Sequence, residues 1–265
     1  MENFKYYIKK AFNLFNSMEM RILPGNLAFF FVLALFPIIT IIVAIASYFS
    51  ISLDFILDFI HQIFPEEAGN IIIEAISGKG FDTSVGAFSI IALIAASNGT
   101  YAIINAANSL YQVENNDSLK DRVKSWLLLI ILLTLVLFLL LVPMFGDKII
   151  TLIGQGQLIN QIKKIYKILR WPSTFILILL NLKLIYTIAP DKKIPSKSTT
   201  YGSIFTTIIW TIATAIFSYY LKYFANYNII YGNLSSIIIL MMWIYIISYV
   251  FVMGIAINAT NLTEK

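Results

Sequence analysis

The chain contains no cysteine and a single histidine, His61. The first absence excludes disulfides, thiolate metal centres and cysteine nucleophiles. The second removes nearly all of the commonest metal-ligand and proton-shuttle chemistry. Charge is scarce too: Asp, Glu, Lys and Arg make up 12% of the residues, against 59% hydrophobic, whereas an ordinary soluble domain carries about 25% charged residues. The formal net charge of +5 lies between apolar blocks, which fits anionic lipid headgroups rather than a nucleic-acid stripe. No nucleic-acid partner, cofactor or metal ion is therefore expected. Low-complexity tracts, internal repeats and long polar linkers are also missing, so a single membrane domain over residues 1–265 is the simplest organisation.

What the chain has in excess is uninterrupted apolar sequence, with a mean hydropathy of +0.81. Six blocks stand out: Leu27 to Phe49, Val85 to Tyr111, Trp126 to Phe145, Leu169 to Ala189, Tyr201 to Ala225 and Leu234 to Ala259. Each is close to the roughly 20 residues that span hydrocarbon as a helix. In lipid every backbone polar group must be bonded within its own segment, so the expected fold is all-α. It is a polytopic helical bundle of about six transmembrane helices with amphipathic interfacial helices. The first block is too long for a signal-peptide core and no small-residue cleavage pattern follows it, so it is expected to be retained.

Residues 1–24 read as a cytoplasmic amphipathic segment. Phe4, Tyr7, Ile8, Ala11, Phe12 and Phe15 share one face, and Lys5, Lys9, Lys10 and Asn13 the other. That face suits either the headgroup layer or the protein's own surface. Pro24 and Gly25 are expected to punctuate the chain before it enters the bilayer. With both termini inside, the cytoplasmic segments hold Lys5, Lys9, Lys10, Arg21, Lys120, Arg122, Lys124, Lys192, Lys193, Lys197 and Lys265. The first external loop holds only Lys79 among six acids, and His61 reads there as a solvated surface residue. The Lys and Arg asymmetry thus places both termini in the cytoplasm. A cluster at Lys148, Lys163, Lys164, Lys167 and Arg170 runs against it. The spacing of Ile162, Ile165, Tyr166 and Leu169 reads there as an amphipathic helix at the outer headgroups.

Polar residues inside apolar blocks carry the functional information, because each must find a partner. Asn98, Asn105 and Ser109 fall on one helical face of the second block, flanked by Tyr101 and Asn108, and that face is expected to be turned away from lipid. In the fifth block Ser203, Thr207, Thr211, Thr214 and Ser218 form a second stripe. Both stripes fit close helix packing, and both fit the wall of a polar cavity to which Arg122 adds charge from the cytoplasmic end. Pro37 and Pro143 should each kink or end a helix. Lys183 either snorkels to the headgroups or serves as a buried cation.

The first block's LAFFFVLALFP, ending at Phe36 and Pro37, resembles the opening helix of the YihY/BrkB family of bacterial inner-membrane proteins, also labelled ribonuclease BN-like. Ala107, Asn108, Tyr111, Glu114 and Arg122 are similar to the family's signature after its second helix. Tyr186, Pro190 and Gly202 match its fourth and fifth helices, and Tyr231, Gly232, Trp243, Gly254 and Asn258 its last. The resemblance spans Met18 to Asn261. This chain departs from the pattern at Phe29 and Phe30, where tyrosine is common, and at Ala256, where a glutamate is common. The resemblance implies a multi-pass bacterial inner-membrane protein whose relatives are suspected of envelope-linked transport, and it adds Asn258 to the polar residues of interest. The expected partners are membrane lipids and a lipid-like or small-molecule substrate. Two functions fit: a transporter or flippase-like protein for an amphiphile or small solute, or a non-catalytic scaffold of the envelope. Nuclease chemistry is not expected, because no cluster of carboxylates or histidines could hold metal ions and activate water.

Overall fold

The computed structural model describes residues 18–48, 83–113, 119–153, 157–223 and 235–262. Six helices make up the described residues, with no strand among them: α1 Met18–Tyr48, α2 Thr83–Leu110, α3 Leu119–Ile153, α4 Gln157–Ile188, α5 Thr200–Tyr223 and α6 Ser235–Leu262. Each covers one apolar block of the sequence. The fold is an all-α membrane helical bundle. Among the described residues, Thr200–Phe217 and Ile238–Thr260 are long and apolar enough to cross a membrane, and Met20–Ala34 and Pro172–Ile188 are shorter apolar stretches. The N-terminal amphipathic face, the acidic loop with His61, Glu114, and the Tyr231–Gly232 pair lie outside the described residues.

Helix bounds differ from the sequence reading in α1 and α4. α1 begins at Met18, so Pro24 and Gly25 lie inside it rather than in front of it. Pro37 and Pro143, expected to kink or end their helices, do not end them: α1 continues to Tyr48 and α3 to Ile153. The amphipathic stretch around Ile162 and Tyr166 is helical but not separate, since α4 runs unbroken from Gln157 through Pro172. A proline removes one backbone donor, and a helix continues across it where neighbouring helices hold both halves in line.

Helices adjacent in sequence pack on one another, and α6 returns to α1, closing a ring; α2 also touches α6, and α1 touches α3. The core is built from Leu27, Ile103, Ile104, Ala107, Leu128, Leu182, Ile185, Tyr186, Phe251 and Ile255. On α2 the buried side mixes small residues, including Ala96, Gly99, Ala102, Ala106 and Ala107, with Ile103 and Ile104. A Cβ at Gly99 would lie 2.8 Å from the Phe30 Cβ, so glycine here sets the close approach of α1 and α2. Ile90, Ile94, Ile130, Ile176, Leu180, Ile204, Ile208 and Ile216 are exposed on the outer faces, the arrangement a hydrocarbon solvent requires.

Candidate functional site

Three polar groupings interrupt this apolar body. The first joins the end of α2, the first turns of α3 and the segment after α4. α2 closes with Gln112 in the left-handed region, φ 54°. The Gln112 N–H bonds the Ser109 carbonyl (3.1 Å), and the Val113 N–H the Asn108 carbonyl (2.9 Å). This Schellman pairing fixes Asn108 in the last turn. The Asn108 side chain, wholly buried, donates through Nδ2 to the Asp191 carboxylate and accepts from the Asp191 N–H at 2.8 Å. Lys124 Nζ donates to the same carboxylate at 2.7 Å and to the Pro190 carbonyl at 2.9 Å. Burial pushes the Asp191 carboxyl up, but its hydrogen bonds to Lys124 and Asn108, the lysine charge and a hydrogen-bonding contact with Asp121 outweigh it, leaving the carboxyl below its ordinary value.

The second grouping lies where α4, α5 and α6 meet. Tyr186 Oη donates to the Phe251 carbonyl at 2.9 Å and pairs with Thr206 Oγ1 at 2.9 Å. A Cβ at Gly254 would overlap both Thr206 Oγ1 and Tyr186 Oη, and one at Gly202 would overlap the Gly254 carbonyl and the Asn258 amide. Asn258 Oδ1 accepts the Gly202 N–H at 2.7 Å. Gly202 is the third residue of α5, so an N–H with no partner in its own helix is capped from α6. Asn258 Nδ2 is buried with no partner among the described residues. Ala256, where the family pattern has glutamate, is buried on another face of α6.

The third grouping is on the outside. Asn98, Tyr101 and Asn105 are half-buried and Ser109 is exposed, in line with exposed Ile90 and Ile94. Arg122, exposed on α3, donates through Nη1 to Asn98 Oδ1 at 2.9 Å and lies 4.5 Å from the Tyr101 ring centroid, within cation–π range. Behind them Thr100 Oγ1 bonds the Ser125 carbonyl at 2.7 Å, tying α2 to α3.

The residues singled out from sequence therefore fall in different places. Asn108, Thr207 and Asn258 are buried; Asn98, Tyr101, Asn105 and Thr214 are half-buried; Ser109, Arg122 and Thr211 are exposed. The structure joins Asn98, Tyr101 and Arg122. It does not pack the α2 stripe against the α5 stripe: among the described residues these two helices form no extensive contact. The α5 hydroxyls instead bond back along their own helix, Ser203 to the Thr199 carbonyl, Thr207 to Ser203 and Thr211 to Thr207, at 2.7, 2.8 and 2.9 Å. That back-bonding satisfies a hydroxyl whether it faces protein or lipid. The α2 stripe, expected to be turned away from lipid, is half-buried at Asn98, Tyr101 and Asn105 and exposed at Ser109, while Ala96, Ile103 and Ala107 on the opposite side take the core position. Lys183 is half-buried. Sequence reasoning missed Asp191 and Lys124 as partners and Thr206 altogether. The signal for Asp191 was present as an acid directly after Pro190 within a basic stretch.

Among the described residues, no group of three His, Cys, Asp or Glu side chains could hold a metal ion. The family described as Virulence factor BrkB matches residues 11–264 of the chain. The chain is 33% identical over 262 residues to the ribonuclease-like protein YfkH of Bacillus subtilis, covering 96% of this chain and 94% of that one. It is 24% identical over 254 residues to a UPF0761 membrane protein of Haemophilus influenzae, covering 93% and 91%. It is 26% identical over 254 residues to a UPF0761 membrane protein of Cronobacter sakazakii, covering 91% and 83%. No solved structure matches the chain.

Proposed function

Because the chain belongs to the family described as virulence factor BrkB, we propose that it is a six-span inner-membrane protein with cytoplasmic termini. In this reading it moves an envelope-linked amphiphile or small solute across the bilayer in the manner of a flippase. The observation that carries it is the polar flank of α2, where Asn98, Tyr101, Asn105 and Ser109 line up on a half-exposed face. Amides left against hydrocarbon without partners cost several kcal/mol. Within this row Asn98 is bonded by Arg122, whereas the half-buried Asn105 amide is stable where water or a polar headgroup supplies its bonds. The path this suggests runs along the outside of α2 beside α3, with the tails of the amphiphile left in lipid.

Arg21, Lys120, Arg122, Lys124, Lys192, Lys193 and Lys197 all sit at the end where α1 begins and α2 and α4 finish, which supports cytoplasmic termini. No enzymatic role is part of the proposal: a chain with one histidine and no cysteine offers little to activate water on a phosphodiester. A scaffold role is the second reading, and the commitment of Asn108 and Asn258 to packing favours it.

The test uses a deletion strain complemented with wild type or Asn105→Leu, profiled for lipids and metabolites, alongside the melting temperature of each purified protein. Transport predicts that Asn105→Leu reproduces the accumulation seen in the deletion strain while melting like wild type. A mutant whose residual function merely tracks its lowered abundance would leave the scaffold reading standing.

A further inference from the structure

The Arg122 guanidinium is an unusual charge to find beside a lipid-facing surface. It is exposed, and among the described residues no carboxylate pairs with it. A guanidinium has five N–H donors in a planar fork. The contacts of this one are the Asn98 bond and the Tyr101 ring, both of which hold it against α2 while it remains exposed. Asn105, farther along the same face of α2 toward the helix end, is half-buried with no hydrogen-bond partner among the described residues.

In the other direction the groove is apolar. α2 and α3 run antiparallel, so rows leading away from Arg122 toward the bilayer centre ascend on α3 and descend on α2. Trp126, Leu127 and Ile130 are exposed on α3, and Ile94 and Ile90 on α2. A charged end of fixed position, an interfacial tryptophan one turn deeper and two parallel apolar rows beyond it reproduce the polarity profile of a phospholipid.

We propose that this groove binds an anionic glycerophospholipid of the adjacent leaflet, with its phosphate on Arg122 and an acyl chain along Ile94, Ile90, Trp126 and Ile130. The free donors of the guanidinium match a phosphate, which Arg takes in bidentate fashion. The Asn105 amide, on the far side of Arg122 from the apolar rows, is placed to meet the headgroup hydroxyls. The site requires only that the chain is membrane-embedded, so it stands whether or not the protein transports anything.

The experiment is a titration of the purified full-length protein in detergent with phosphatidylglycerol or phosphatidylcholine, read by native mass spectrometry and by melting temperature. Wild type should bind phosphatidylglycerol about tenfold or more tightly than phosphatidylcholine and melt higher in its presence. Arg122→Gln should lose the preference while its lipid-free melting temperature stays at the wild-type value, because Arg122 is exposed and glutamine can still donate to Asn98. Arg122→Glu should reverse the preference. Lys120→Gln, an exposed charge two residues away, should leave it intact. Equal affinity for the two lipids in wild type, a preference that survives in Arg122→Gln, or an equal loss in Lys120→Gln would each overturn the proposal. So would displacement of the bound lipid by inorganic phosphate at comparable concentration, which would make the ion itself the occupant.

Discussion

Replacing Asp191 with asparagine should destabilise the bundle by about 2 kcal/mol, and the number follows from the junction it closes. The substitution keeps the shape but removes the charge that faces Lys124 Nζ at 2.7 Å, in a pair whose side chains are 13% and 18% exposed. Breaking a fully buried pair costs about 3–5 kcal/mol because the remaining charge is stranded. Here Lys124 keeps the Pro190 carbonyl and some access to solvent, so the cost falls below that range, to about 2 kcal/mol. Asp191 also holds Asn108, so the loss should be felt at the end of α2 as well as in the segment before α5. Chemical unfolding in detergent, followed by tryptophan fluorescence, measures it. A double-mutant cycle with Lys124→Met should give a coupling of about 1–2 kcal/mol. The pH dependence adds a second check. The folded state holds the Asp191 carboxyl below its ordinary value of 3.8, so the unfolded chain binds the extra proton between those values. This part of the stability is fully present above the unfolded value, is lost as pH falls through the lower folded value, and is absent from Asp191→Asn. Single substitutions costing under about 0.5 kcal/mol, with strict additivity in the cycle, would refute the idea that this junction ties three segments together.

Tyr186→Phe removes a buried hydroxyl that serves both Thr206 and the Phe251 carbonyl, and should cost about 1–2 kcal/mol in the same unfolding assay. Gly254→Ala is expected to be worse, at roughly 3 kcal/mol or more, because its methyl would overlap Thr206 Oγ1 and Tyr186 Oη; yield and melting temperature of the purified variant report it. Gln112→Gly should stabilise the chain by about 0.5–1 kcal/mol, since a residue at φ 54° then meets no Cβ penalty, and denaturant midpoints measure the gain. Single cysteines are clean topology probes in a chain that has none: one at Lys265 should resist an impermeant reagent in intact cells and one at Lys79 should react.

Close packing was partly legible in advance through the family pattern. Gly202, Gly254 and Asn258 were picked out by resemblance alone, and nothing in local sequence explained them. Their reason is a contact between α5 and α6 that brings residues more than fifty positions apart against each other, where a missing Cβ on one helix makes room for a carbonyl on the other. Asp191 went unnoticed because its partners, Asn108 and Lys124, are 83 and 67 positions away. No periodicity within one helix encodes such a meeting.

By itself the sequence determined the class of protein and the six helical stretches, because the length of an apolar run and the need to satisfy backbone groups in lipid are local properties. It also determined that Asn98, Asn105 and Ser109 share a face, since 3.6 residues per turn requires it. Which way that face turns was decided only by tertiary structure. Neighbouring positions are about 100° apart on a helix, so Asn108 and Ser109 sit side by side. Yet Asn108 is wholly buried and Ser109 exposed, because Asp191 after α4 closes over the Asn108 side with Lys124 of α3 on the same carboxylate, and leaves the Ser109 side to the membrane.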